Sequence, residues 1–319
     1  MGKEVLVLIA MLCVIGAILP LMELLLQTPF FAAVSQPLPG AETVLAKGSW
    51  RKNAAITIAI AAATYPFMTQ LGHGLLPLPE GIFRMTVGNG FVSWYGLLIL
   101  IMVSTMLVSL RKKRRAGESA DLYSMGLASA QSPDRIAWCL MGKSALLVLC
   151  MMAMVYGFVA LCEGLFLLDL RFIWPFFKTF TPARLGQFIV FITIFTLFYV
   201  LNNSKIFASM RTESTYRPGA KGFFSCWWRY ALVMVSGTVI VALIEYVPFF
   251  LGIGPGADVL FGSTFGGPFM SLLILFAPQV IGFSLLCTCF YRRTGQVYVG
   301  AFSAATLACW IVTGGSAML

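Results

Sequence analysis

Eight apolar runs, each about as long as a bilayer is thick, follow one another along the chain, at residues 5–22, 54–71, 91–110, 144–168, 185–201, 230–251, 269–291 and 297–317. A helix needs roughly 20 apolar residues to cross the hydrocarbon. Each run is continuously apolar, whereas a barrel strand of about ten residues alternates polar and apolar positions. Only helices and closed barrels satisfy every backbone group in lipid. The expected fold is therefore all-α, a polytopic bundle of about eight transmembrane helices that forms one integral-membrane domain over residues 1–319. Composition agrees, with 59% hydrophobic and 11% charged residues and a mean hydropathy of +0.89, against about half and a quarter in soluble domains. The first run is the least sharply ended, because its apolar character leaks on through LMELLLQTPFF.

Lysine and arginine set the expected orientation, since cytoplasmic loops near span ends carry an excess of them. The run Arg111, Lys112, Lys113, Arg114 and Arg115 is the strongest marker. If it is cytoplasmic, alternation of the spans puts all 22 basic residues on that side except Lys3, Arg84, Arg171, Lys178 and Arg184. Both termini are then expected outside. The formal charge of +10 is a topology signal, and a nucleic-acid partner is not called for; the partner is the lipid bilayer. Arg292 and Arg293, between the last two runs, are expected to anchor a tight cytoplasmic turn. Gly295 there supplies the left-handed conformation that a short connection often needs.

The opening MGKEVLVLIAMLCVIGAILP also has the look of a secretory signal. Insertion with Lys3 inside would carry the 111–115 run outside, so the charge map opposes that alternative. An outer N-terminus is natural where something exported precedes the first helix.

Three stretches carry a likeness to known proteins: SADLYSMGL (119–127), LDLRFIWPFFKTFTPARLGQFIVFITIFTLFYVLNN (168–203) and YRRTGQVYVGAF (291–302). They resemble the membrane-embedded C-terminal region of bacterial, mainly clostridial, proteins that carry an α/β-hydrolase domain ahead of it. The resemblance implies a multi-pass bundle in a bacterial plasma membrane, serving an extracytoplasmic serine hydrolase. Such a hydrolase needs a G-x-S-x-G elbow with a later histidine and acid. No such pentapeptide occurs among these residues; GKSAL at 142 and GFSLL at 282 lack the second glycine. With His73 as the single histidine, a Ser-His-Asp triad cannot be assembled from this sequence. The expected role is anchoring or substrate presentation toward the hydrolase, with no catalytic residues, metal or cofactor of its own. A secondary transporter, or a membrane-embedded enzyme with an outer-leaflet polar site, is the alternative.

That polar site is where ionisable groups meet the apolar runs, since a charge in hydrocarbon costs a few kcal/mol unless it faces protein or water. Glu163 in LCEGLFLLDL and Glu245 in ALIEYVPFF lie at matched depth near the expected outer ends of the fourth and sixth spans. Arg171, Asp169, Arg84 and His73 are expected just above them. Pairing that holds helices together and a cavity for substrate or protons are both open readings. His73, between Gly72 and Gly74, is read first as an interfacial loop residue, although histidine can also ligate metals or move protons. The eight cysteines lie mostly inside spans, where reduced thiols behave as small apolar residues. Pro248 and Pro278, the latter beside Gln279, are possible kinks of the kind transporters use.

The two longest cytoplasmic connections, 111–143 and 202–229, hold no nucleotide-binding signature. Ser132-Pro133-Asp134 reads as a helix start, with Ser132 as N-cap and Pro133 at the first helical position. Arg217-Pro218-Gly219 reads as a turn, and FFSCWW after it as an interfacial aromatic belt.

Overall fold

The computed structural model describes residues 2–36, 38, 51, 54–56, 58–60, 62–63, 88–115, 122–166, 182–210, 219–250 and 277–314. Most of these residues are helical, with no strand among them beyond an isolated bridge between Ser129 and Ser132. The elements are α1 (Gly2–Leu26), α2 (Pro29–Ala32), α3 (Gly88–Arg115), a 3-10 turn (Tyr123–Met125), α4 (Trp138–Phe166), α5 (Pro182–Ser209), α6 (Ala220–Phe250), α7 (Ala277–Thr294) and α8 (Tyr298–Gly314). The second apolar run, 54–71, falls largely outside the described residues. Among the described residues two stretches, Trp138–Phe158 of α4 and Phe188–Ser209 of α5, are long and apolar enough to cross a membrane.

The innermost helix is α8, which packs against α5, α7 and α4. Its sequence explains this: Ala301, Ala304 and Ala305 are fully buried, and small residues let helix backbones approach closely. At Gly300 the backbones of α7 and α8 come close, for a Cβ there would lie 2.9 Å from the Cα of Cys287. Outside this centre, α6 packs on α7, α3 on α5, and α1 on α7 and α4.

Contacts near the C-terminal ends of α1, α5 and α7 and the N-terminal ends of α4, α6 and α8 gather in one layer. Arg293 lies in this layer, and the C-terminal part of α3 approaches it, with Met106 beside the same cleft as Leu127 and Tyr298. Arg111, Lys112 and Arg115 are exposed on the last turns of α3, which continues through the whole basic run. Lys113 and Arg114 lie in the same helical turns.

Three local expectations change. First, α1 runs past residue 22 to Leu26 and takes Glu23 into the helix. Secondly, Ser132 is not an N-cap. Its hydroxyl lies 3.1 Å from that of Ser129, and its carbonyl accepts from the N–H of Arg135. The chain therefore turns on itself there, and α4 starts only at Trp138. The Pro133 carbonyl, accepting from Tyr123 N–H, and the Leu127 carbonyl, accepting from Ala137 N–H, tie both sides of this loop together. Thirdly, the tight turn after Arg292 and Arg293 is packed inward: Thr294 and Gln296 are fully buried, with Arg293 exposed and Arg292 half-buried. Gly295 does take the left-handed conformation, at φ 69°.

Gly219 is left-handed too, at φ 85°, just before α6; Arg217 and Pro218 lie outside the described residues. In the aromatic stretch that follows, Phe224 and Trp228 are exposed, one helical turn apart, while Trp227 turns inward and donates to Ser284 Oγ at 3.1 Å. Pro278 falls in the first described turn of α7, and Gln279 beside it is buried.

Candidate functional site

The structure builds its most ordered polar arrangement at the basic end of the bundle, around the α7–α8 turn. Thr294 closes α7 by donating to the Phe290 carbonyl at 2.6 Å, and the Gly295 N–H bonds back to Tyr291 O. Only a glycine adopts this conformation without the Cβ crowding that penalises other residues. Gln296 is thereby driven inward. Its Nε2 donates to Val34 O at 2.6 Å, and its Oε1 accepts from Ser144 Oγ at 3.1 Å. One amide side chain joins the segment after α2, the start of α4 and the turn itself.

The loop 122–137 covers the same turn. Tyr298 Oη donates to Leu127 O at 2.7 Å, and Val297 N–H donates to Gly126 O. Gly126, at φ 70°, would meet Val297 Cγ1 at 3.0 Å if it bore a Cβ. On the other flank, Gln36 N–H donates to Thr294 O at 2.8 Å. Arg293 Nε reaches both oxygens of Glu23, at 2.7 and 3.0 Å.

A second chain of polar contacts crosses four helices. Tyr230 Oη of α6 donates to Asn203 Oδ1 of α5. Asn203 Nδ2 donates to Cys287 Sγ of α7, and that thiol donates to Gly300 O of α8, each at 3.4 Å. Beside it Phe207 lies parallel between Tyr291, at 4.2 Å between centroids, and Tyr230, at 5.1 Å. Cys226 is nearby in sequence, at the start of α6. Burial pushes its thiol up to about 11, against the opposing pull of Arg292 and Arg229. Such a thiol is a poor nucleophile.

A cavity of about 590 Å³ forms a cleft between α3, α4, α5 and α8. Met106, Ala145, Leu149, Thr196, Leu197 and Phe302 are among its walls. Leu149 and Leu197 are exposed at its edge. The hydroxyls of Thr193 and Thr306, also in the walls, donate to their own helices at Ile189 O and Phe302 O. Among the described residues its lining is apolar side chains with a few hydroxyls, which suits hydrocarbon.

Of the residues expected to form an outer polar site, His73, Arg84, Asp169 and Arg171 lie outside the described residues. Glu163 and Glu245 sit on the backbones of α4 and α6, but their side chains are likewise outside them. The structure therefore leaves that constellation where the sequence put it. Among the described residues there is no cluster of histidine, cysteine, aspartate and glutamate able to hold a metal. Sequence reasoning missed Glu23, Ser144, Asn203 and Gln296. Each was legible only as a polar residue at the margin of an apolar run, with nothing to name its partner.

Compared with protein-family models, curated proteins and solved structures, the chain matches none.

Proposed function

We propose that this chain is a multi-pass module of a bacterial plasma membrane, with eight spans and both termini outside, which anchors an extracytoplasmic α/β-hydrolase or presents substrate to it. The observation that carries the membrane part is the gathering of successive helix ends, with their basic flanks, at one end of the bundle. A soluble helical bundle has no reason to sort its lysines and arginines in this way; a membrane bundle does. The two described stretches long and apolar enough to cross a membrane support the same reading, because only 33% and 39% of their apolar windows are buried. A soluble core helix of that hydropathy would be mostly hidden. Leu149, Phe158 and Ile189 in these stretches are instead more than half exposed, and soluble monomers rarely show large contiguous apolar patches to water.

The hydrolase part rests on the resemblance of residues 119–127, 168–203 and 291–302. In the structure Gly126 and Leu127 of the first segment meet Val297 and Tyr298 of the third, and Asn203 of the second reaches Cys287 beside it. The module has no triad of its own, so its work toward a substrate is positional. The test is expression of the chain with an exported α/β-hydrolase bearing the G-x-S-x-G elbow, encoded beside it. Recovery of the chain in the membrane pellet after alkaline carbonate, with fluorophosphonate-reactive hydrolase co-purifying in detergent, is expected. Release of the chain by carbonate would overturn the membrane reading, and an integral chain with no hydrolase attached would overturn the anchoring role.

A further inference from the structure

We propose that the cleft between α3, α4, α5 and α8 holds one acyl chain of an anionic phospholipid from the leaflet at the basic end, with the lipid phosphate at the cleft's mouth. This rests on the membrane reading above. The cleft's walls include the two stretches most suited to hydrocarbon, and it opens sideways at Leu149 and Leu197, which are 66% and 47% exposed. An apolar groove facing lipid is filled by lipid chains, since water there finds no polar partners. Its volume of about 590 Å³ falls within the range of built ligand sites, about 300–1,000 Å³.

Direction follows from the lining on α4, which runs from Trp138 to Met152. At about 1.5 Å per residue that is roughly 21 Å, enough for one leaflet of a core about 30 Å thick. Trp138 at the mouth is 66% exposed, the position of an interfacial ring. Arg135 is exposed and adjoins Ile136 of the lining, while Arg111 and Lys112 are exposed on α3 beyond Met106 of the lining. Asp134 is the opposing acid in this segment. The surplus of positive charge selects an anionic headgroup, at about fivefold in affinity for each basic residue near the phosphate.

The experiment is native mass spectrometry of the full chain released from micelles containing equimolar phosphatidylglycerol and phosphatidylcholine. Retention of phosphatidylglycerol over phosphatidylcholine by about tenfold is expected. The double variant Arg135→Gln, Lys112→Gln should bring that ratio to within about twofold. Ala145→Trp, which fills the cleft, should cut retention of both lipids at least about fivefold. Should Ala145→Trp fail to fold, Leu149→Trp at the exposed edge serves the same purpose. Equal retention of the two lipids by the native chain, or undiminished retention in a folded cleft-filling variant, overturns the proposal. Release of the native chain from membranes by carbonate would instead defeat the membrane reading itself.

Discussion

Gln296 and Ser144 stand 152 residues apart in the chain and share a buried hydrogen bond of 3.1 Å. Through that bond and the one from Gln296 Nε2 to Val34 O, the α7–α8 turn is fixed to the segment after α2 and to α4. A fully buried amide stays in place only while its partners satisfy it. Gln296→Leu should lower the thermal unfolding midpoint in detergent and cost about 1–3 kcal/mol, because the buried Val34 O loses its side-chain donor, while Ser144 Oγ keeps its bond to Leu140 O. The exposed ion pair between Arg293 and Glu23, each side chain 46% exposed, should matter less. Arg293→Ala is expected to cost about 1 kcal/mol or under. Equal losses in the two variants would contradict this ranking.

Close approach at glycine offers a sharper comparison. A Cβ at Gly300 would meet backbone, the Cα of Cys287, at 2.9 Å, whereas one at Gly282 would meet the flexible end of Ile15, Cδ1, at 2.6 Å. Backbone cannot step aside without parting α7 from α8, but a methyl group can rotate. Gly300→Ala should therefore cost roughly 1–3 kcal/mol as overpacking, and Gly282→Ala clearly less. Unfolding of both variants in one detergent decides the order.

Stability should also fall at alkaline pH through Cys226. Its thiol has an ordinary value of 9.0 and is raised to about 11 in the fold. The unfolded thiol ionises first, so the contribution is intact below pH 9 and is lost as pH rises toward about 11. Two pH units correspond to roughly 2–3 kcal/mol. A Cys226→Ala variant should show a shallower fall in unfolding midpoint between those pH values than the native chain. Parallel curves would contradict the assignment.

The helical class was legible because hydropathy alone reports it, and the Gly295 conformation was legible because two arginines and a glycine leave a turn few choices. The burial of that turn was not. Thr294 and Gln296 look like loop residues, and only the return of residues 33–36 and 122–137 over the turn makes them core. Ser132-Pro133-Asp134 misled for a related reason: the local cap signal is real, but Ser129 captures the hydroxyl and tertiary bonds to Tyr123 and Leu127 hold the segment out of a helix. Hydrophobic periodicity carries no information on which helix is central. The small residues of α8 hinted at it, yet alanines also occur at exposed positions such as Ala145. The cleft was illegible altogether, because it is a gap left between four helices.

Sidedness is the claim on which the rest depends, and impermeant-thiol labelling tests it most directly. Single cysteines would be placed at Gln131, exposed in the loop at the basic end, and at Ser263, in the connection between the sixth and seventh runs that has no basic residue, with the eight native cysteines replaced by alanine. Moving the arginines and lysines of a loop across hydrocarbon costs several kcal/mol, which fixes one orientation. In intact cells Ser263→Cys should label at once, and Gln131→Cys only after the membrane is permeabilised. Labelling of Gln131→Cys in intact cells, with Ser263→Cys protected, would mean that the basic end faces outward and that the proposed topology is inverted.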